Sequence, residues 1–349
     1  MRFGGVALEQ TGIADVSEGH QVKGIGSGSL SDGRTVEIKL IATPDAEARE
    51  LIPALLAHKG EPWLWQIREW LDGRTPGLEM LYYVAMVEGM PAGCVANFRT
   101  GEIGNITHVY TVPEMRRLGI ARQLLRRAVN DFEQDKGRVL VLGAQFQGMP
   151  WRLYGSEGFR GTCPEQGYGG MVRFSSGANW ETVFAGPAGE VCPVAWRHFA
   201  GSLVLFGAPG SEQLRSVHME SVGPRLVERS FVELMRMMAV GENRGALVLP
   251  GPGACVLGFA VIGEHPVWRA AGARRVMDVH LHPSASDGAP ALMQEMLRLW
   301  PVPMECYCDS GSRDKIALLQ QFGFRHESTS LAALRFGEEV RDLLVFVRK

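Results

Sequence analysis

Hydrophobic and polar positions along the chain switch between two periods, and the switches divide it into strands and helices. Val36-Glu37-Ile38-Lys39-Leu40-Ile41 alternates with period two, as a half-buried strand does. Pro44-Asp45 then opens a helix whose apolar members Ala48, Leu51, Ile52, Leu55 and Leu56 recur at helical spacing. A second helical segment, Trp63 to Leu71, carries Trp63, Trp65, Ile67 and Trp70, which either fill core or face a pocket. Leu81 to Val87 and Gly93 to Thr100 read as strands joined by a hairpin turn at Glu88-Gly89-Met90-Pro91, and a third strand spans Glu102 to Val112. Pro113 has no N–H to give a ladder and ends that strand, so Glu114 to Leu118 form a polar loop. Ile120, Ala121, Leu124, Leu125, Ala128, Val129 and Phe132 make the apolar stripe of a helix reaching about Glu133. Arg138 to Gly143 is a compact strand, expected parallel to the Val109 strand because a helix crosses between them. A short helix with a glycine C-cap follows between Pro150 and Phe159, and a strand from Tyr168 to Phe174 closes the unit.

The same order then returns. Val276 to His282 reads as a strand, followed by Pro283, a polar loop, Gly288 and a helix carrying Ala289, Leu292, Met293, Met296, Leu297 and Trp300. Met304 to Cys308 is a further strand, and Lys315 to Gln321 a helix ending at Phe322-Gly323-Phe324. A chain of 349 residues is long for one core, and about 150 residues per domain suggests two. The expected division is an N-terminal extension over 1–35, a first domain over 36–174, a linker over 175–189 and a second domain over 190–349. Within the extension, Gly24-Ile25-Gly26-Ser27-Gly28-Ser29 reads as loop or frayed hairpin. The fold class is α+β: two tandem domains, each a mixed, mostly antiparallel twisted sheet flanked by helices.

Composition narrows the function. A net charge of -2 gives no global attraction to nucleic acid or an anionic membrane surface, so the arginines at 116, 117, 122, 126 and 127 act locally. Arg126 and Arg127 read as a solvated helix face. The longest apolar stretch, Ala254 to Ile262, is far short of a membrane span, and the expectation is a cytoplasmic protein with no membrane partner. Six cysteines without a C-x-x-C pair point to reduced, mostly buried thiols, with Cys306 and Cys308 as alternating residues of one strand. No metal is expected.

The candidate chemistry lies between residues 109 and 133. A strand, a glycine-bearing turn and a helix N-terminus make an anion site, because the first helical N–H groups have no internal partner and the dipole is positive there. The spacing Arg116-x-x-Gly119-x-Ala121, with the preceding Tyr110-Thr111-Val112-Pro113-Glu114 and the downstream Tyr154-x-x-x-Gly158-Phe159, resembles the acyl-CoA loop of the GNAT superfamily of N-acyltransferases. That resemblance implies acetyl-CoA as acyl donor, with its pyrophosphate on the amides of residues 117 to 122. The implied binding set is Tyr110, Thr111, Val112, Arg116, Arg117, Leu118, Gly119, Ile120, Ala121 and Arg122. It also implies that the Val109 and Leu140 strands splay apart at a bulge, that a backbone N–H of Tyr110 to Val112 meets the thioester oxygen, and that the two helices before residue 72 wall the acceptor pocket.

Acyl transfer to an amine needs a proton for the departing thiolate and a group to take the amine proton. Tyr154 is the candidate acid. The strand before the loop offers Glu102 and His108 as bases, and His108 is the better placed, three positions before Thr111. The second copy keeps the fold pattern and loses the chemistry: Ala285, Ser286 and Asp287 stand before its glycine, Pro290 replaces Ala121, and Leu319 stands where Tyr154 would be. It reads as non-catalytic. The expected function is an N-acetyltransferase acting on a primary amine by direct attack, with a non-catalytic acyl-CoA-binding sensor as the alternative. Small-molecule and peptide amines both fit as acceptors, and neither acceptor identity nor oligomeric state is encoded in these motifs.

Overall fold

The computed structural model describes residues 23–164, 167, 169–210, 213–241, 244–265, 274–285 and 287–349. The expectations for residues 1–22, Tyr168 and Ser286 lie outside them. Eight strands form one sheet: β1 (Lys23–Ser29), β2 (Thr35–Ile41), β3 (Glu79–Val87), β4 (Met90–Thr100), β5 (Ile103–Thr111), β6 (Val139–Gly143), β7 (Arg160–Gly161) and β8 (Gly170–Phe174). Their spatial order is β1-β2-β3-β4-β5-β6-β8-β7, and every neighbouring pair is antiparallel except β5 and β6. Four helices accompany this sheet: α1 (Ala46–Leu56), α2 (Trp63–Leu71), α3 (Ile120–Gln134) and α4 (Met149–Ser156). Asp45 caps α1 by accepting the Ala48 N–H at 2.9 Å, and Glu88 and Gly89, both with positive φ, turn β3 into β4. The glycine-rich stretch expected as loop or frayed hairpin is the edge strand β1. Its backbone pairs along β2, which a chain without side chains to alternate cannot advertise.

The second sheet contains β9 (Cys192–Pro193), β12 (Gly245–Pro250), β13 (Val256–Gly263), β14 (Arg275–Leu281), β15 (Met304–Asp309), β16 (Arg325–Phe336) and β17 (Glu339–Arg348). A small ribbon, β10 (Leu214–Ser216) with β11 (Ser221–Val222), stands apart. The sheet order is β9-β12-β13-β14-β15-β17-β16, again antiparallel except for one pair, β14 with β15. Its helices are α5 (Trp180–Phe184), α6 (Phe199–Gly207), α7 (Glu228–Ala239), α8 (Ala289–Leu299) and α9 (Arg313–Gln321). In both sheets the parallel pair is bridged by a helix, α3 in one and α8 in the other. Within the stretch expected as linker, Asn179 and Thr182 form a reciprocal capping box that starts α5.

One helix joins the halves. All nine residues of α6 are buried, and an element apolar on every side must be covered on every side. It packs against β4, β5 and β6 of the first sheet and against β13 of the second. Phe199 lies 6.2 Å from Phe98 of β4 and 5.3 Å from Phe231 of α7, and Phe206 lies 5.6 Å from Phe259 of β13. Tyr82 and Phe98 of the first sheet therefore share a continuous core with Phe259 and Phe346 of the second, while α3 covers the opposite face of the first sheet. Truncating Phe199 to alanine is expected to cost about 3–5 kcal/mol. Calorimetry should register the loss as one shifted transition; two separate transitions, only one of them shifted, would contradict a shared core.

Candidate active site

The first sheet opens beside its parallel pair. β5 and β6 pair only at Ile103 with Val139, Gly104 with Leu140 and Asn105 with Val141. Beyond that point β5 continues to Thr111 alone on this edge. The cause is local: Ala96 stands opposite Thr107 but Cys94 stands opposite Tyr110, so β5 carries one extra residue, and His108 takes a positive φ of 49°. Such a bulge bends and twists its strand. It also changes which side chains share a face. Ile103 and Tyr110 are an odd number of positions apart, yet both pack into the core on the α6 side.

At the end of β5 a single helical turn, Pro113–Met115, leads into a tight loop. Arg117 has φ 66° and Gly119 φ 91°, left-handed conformations that curl the chain ahead of α3. The helical ladder starts with Gln123 N–H to Gly119 O at 3.1 Å, which leaves the N–H groups of Ile120, Ala121 and Arg122 ahead of it. A side chain at Gly119 would point into open space, so the backbone is approachable from outside at that point. Arg116 and Arg117 are exposed, and Arg116 Nε donates to Thr111 O at 3.2 Å. Arg122 pairs with Glu157 at 3.4 Å and Arg126 with the same carboxylate at 2.8 Å, while Arg127 pairs with Asp131 at 2.7 Å. The face expected to be merely solvated is thus tied to α4 and to β1, whose Ile25 carbonyl accepts from Arg127. The Val112 N–H is engaged by Ala92 O at 3.0 Å, which removes it from the groups expected to meet an acyl oxygen. Strand alternation turns the Thr111 N–H the other way, toward the open edge.

The proton-handling candidates lie on α4 and on the bulge of β5. Tyr154 on α4 is buried with its ring edge-on to Phe159, and burial, together with the nearby Glu228 charge, pushes its hydroxyl up to about 12. His108 sits at the bulge with Nδ1 3.1 Å from the Tyr82 hydroxyl and ring edges of Trp63 and Phe98 around it. Burial, with added repulsion from Lys59 and His58, pulls the imidazole down to about 3, so it is neutral at physiological pH. That is a physical obstacle to His108 as resting base, because a group this acidic once protonated takes a proton poorly from an amine. Its Nε2 is buried with no hydrogen-bond partner among the described residues. Glu102, the other base considered, lies at the far start of β5 against Arg138. Of the tryptophans, Trp70 packs on Tyr82 and Trp65 on Trp196, both as core, while half-buried Trp63 faces His108. His58, just after α1, stacks on Tyr110 at 4.1 Å.

One further side chain reaches the opening from the second half. Glu228, the first residue of α7, accepts a hydrogen bond from the Thr107 hydroxyl. Burial raises its carboxyl above the ordinary range, outweighing the opposing effects of the Thr107 hydrogen bond, Lys59 and Asn105. Asn105 is fully buried beside it, and its side-chain hydrogen bond favours the ionised carboxylate. In sequence, Glu228 reads as an ordinary acidic residue in a first helical turn.

A family profile described as the acetyltransferase (GNAT) domain matches residues 79–161. Those residues form a GNAT acetyltransferase domain. The matched stretch runs from β3 to β7 and so contains the bulge, the loop, α3, the opening and Tyr154. Solved structures similar to part of the chain include an N-acetyltransferase from Staphylococcus aureus Mu50 (16% identity, 47% of this chain, 98% of that one, TM-score 0.38). A ribosomal-protein-alanine N-acetyltransferase from Brucella melitensis is 18% identical over 45% of this chain and 98% of its own, with a TM-score of 0.37. A phosphinothricin acetyltransferase from Sinorhizobium meliloti, solved in complex with acetyl-CoA, is 16% identical over 46% of this chain and 87% of its own, at 0.37. The curated proteins give no match to the chain. Among the described residues no cluster of His, Cys, Asp and Glu could hold a metal ion, and no helix is long and apolar enough to cross a membrane.

Outside the GNAT domain match, the second sheet opens in a similar place but is built differently. β14 and β15 pair only at Arg275 with Met304 and Val276 with Glu305, and a cavity of about 330 Å³ lies beyond, lined in part by Leu205, Val279, His280, Leu281, Ala289 and Lys315. Gly288 before α8 has φ -88°, not a left-handed value, and a side chain there would strike Leu249 at 2.5 Å. This glycine admits a neighbouring side chain, whereas Gly119 faces open space. Leu319 on α9, expected from the sequence to stand where Tyr154 would be, is fully buried.

Proposed function

We propose that the chain is an acyl-CoA-dependent N-acetyltransferase that moves an acetyl group from acetyl-CoA to a primary amine by direct attack. The observation that carries this reading is the opening between β5 and β6 beside the uncovered amides at Ile120 to Arg122, inside a GNAT domain. Tyr110, Thr111, Val112, Arg116, Arg117, Leu118, Gly119, Ile120, Ala121 and Arg122 would hold acetyl-CoA, the donor present in the Sinorhizobium meliloti complex. When bound, the thioester supplies an activated acetyl carbon and a thiolate leaving group. Arg116, Arg117 and the first amides of α3 oppose pyrophosphate charge, and the Thr111 N–H is the backbone donor best turned toward the acyl oxygen. Tyr154, kept protonated by its surroundings, gives its proton to the departing sulfur. His108, neutral and with Nε2 unpaired, is a hydrogen-bonding group for the acceptor nitrogen.

Residues 36–174 form the catalytic domain in this reading, preceded by an extension over 1–35. A linker over 175–189 leads to a degenerate, non-catalytic GNAT-like domain over 190–349. Support for the second copy is the shared strand order with one parallel pair in each sheet; support for its degeneracy is the filled space at Gly288, the exposed Asp287 and the buried Leu319. Titration with acetyl-CoA, followed by an assay for free CoA over a panel of small and peptide amines, tests the proposal. Tight binding with no release of CoA above hydrolysis for any amine would favour the sensor.

A further inference from the structure

We infer that Glu228, supplied by the second half, is the group that accepts the proton of the incoming ammonium and fixes the acceptor as a cationic primary amine. The inference rests on the acetyltransferase reading and adds a residue outside the GNAT domain match. Its basis is geometric. α7 starts where β5 leaves β6, and the Thr107 hydroxyl, on the bulged strand, donates to the Glu228 carboxylate. Asn105, one side-chain step back on the same face, is fully buried, and its side-chain hydrogen bond favours the charged carboxylate. His108 Nε2, one residue beyond Thr107, is buried and has no hydrogen-bond partner among the described residues. Buried polar atoms are nearly always satisfied, so this unmatched nitrogen on the bulged strand marks a place for a polar occupant. Glu228 is close enough to Tyr154 for its charge to oppose ionisation of that hydroxyl. Base and acid therefore face one opening from opposite halves of the chain.

The charges around Glu228 make its role specific. Lys59, following α1, is the cation whose field reaches it, and no ion pair engages Lys59 among the described residues. From α2, which packs on α7, Arg68 is paired with Glu61 and Glu69 with Arg74. α6 offers no titratable side chain. A substrate ammonium would be a second cation for the carboxylate beside Lys59. The protons balance: the ammonium gives one proton to Glu228 and becomes nucleophilic; nitrogen bonds to the acetyl carbon as the carbon–sulfur bond breaks; sulfur takes the Tyr154 proton. The second nitrogen proton restores Tyr154, and Glu228 releases its own to solvent. A carboxylate raised above its ordinary range suits this task better than an imidazole held near 3.

The test uses the full chain with acetyl-CoA and, as acceptors, butylamine, putrescine and glycinamide. Glu228→Gln keeps shape and a hydrogen-bond partner for Thr107, and is expected to lower kcat/KM for the amine by roughly 10²-fold with acetyl-CoA affinity within about twofold of the parent. In the parent, kcat/KM falls as pH drops through an acid limb above the ordinary carboxylate pKa of ~4.3; the Gln variant loses that limb. Glu228→Asp should recover part of the rate with a displaced limb, and a melting curve checks that each variant is folded. A loss below about threefold, or an unchanged acid limb, overturns the role of Glu228. If Glu228→Gln is fully active while Tyr154→Phe is not, the acetyltransferase reading stands and this inference falls. If the parent binds acetyl-CoA but acetylates none of the three amines, both fall together.

Discussion

Replacing Gly119 with glutamate is expected to abolish acetyl-CoA binding. Two independent costs meet at this residue. Gly119 holds φ at 91°, a left-handed value that costs a side chain of the natural hand roughly 1–2 kcal/mol. Charge costs more. The added carboxylate enters the open space in front of the first α3 amides, where the pyrophosphate is proposed to lie, and two like charges about 4 Å apart repel by about 4 kcal/mol at an effective dielectric of 20. The strain lowers stability, and the repulsion alone approaches about a thousandfold in affinity. Gly119→Ala separates them, because nothing lies within 4 Å of the added carbon, so only the backbone strain remains: folding stability should fall by roughly 1–2 kcal/mol while affinity changes far less than in the glutamate variant. Calorimetric titration of both variants decides the matter: unchanged affinity in the glutamate variant would remove the loop from the binding site.

Tyr154→Phe is expected to leave acetyl-CoA binding intact and to lower turnover sharply. The ring keeps its buried packing against Phe159, so the substitution deletes one hydroxyl and little else. That hydroxyl is held up to about 12, which keeps its proton in place across the working range and available when a thiolate departs. Loss of a positioned general acid is worth on the order of 10²-fold or more. Steady-state rates for CoA release, measured beside acetyl-CoA affinity, should fall in the first and hold in the second. A loss of less than about threefold would exclude Tyr154 from the chemistry.

The distance between pattern and structure differs along the chain for physical reasons. The loop was legible because its parts are local: a strand ended by Pro113, a glycine, and an amphipathic helix announce themselves within about two dozen residues, and α2 begins and ends where its apolar pattern does. β1 was hidden by its glycines, which cannot alternate. α6 escaped because periodicity marks only elements with a polar side, and this helix has none. The bulge at His108 is a backbone conformation with no side-chain signature, although it decides which residues of β5 face the opening. It also puts His108 among aromatic rings, where its ordinary affinity for protons is lost. Glu228 was beyond reach for another reason. It meets Thr107 across 121 positions, and no local pattern connects an acidic helix start to a strand that far upstream.

The buried helix α6 also sets the order in which this protein can become finished. By the time residue 174 has been synthesised, every described strand of the first sheet exists, yet the face bearing Tyr82 and Phe98 still lacks Phe199 and its neighbours. That face stays wet until residues 199–207 emerge, and α6 in turn needs β13 behind it before it is covered. The first half is therefore the first to be made and among the last to be sealed, and its apolar inner surface is the part of the nascent chain most in need of shelter.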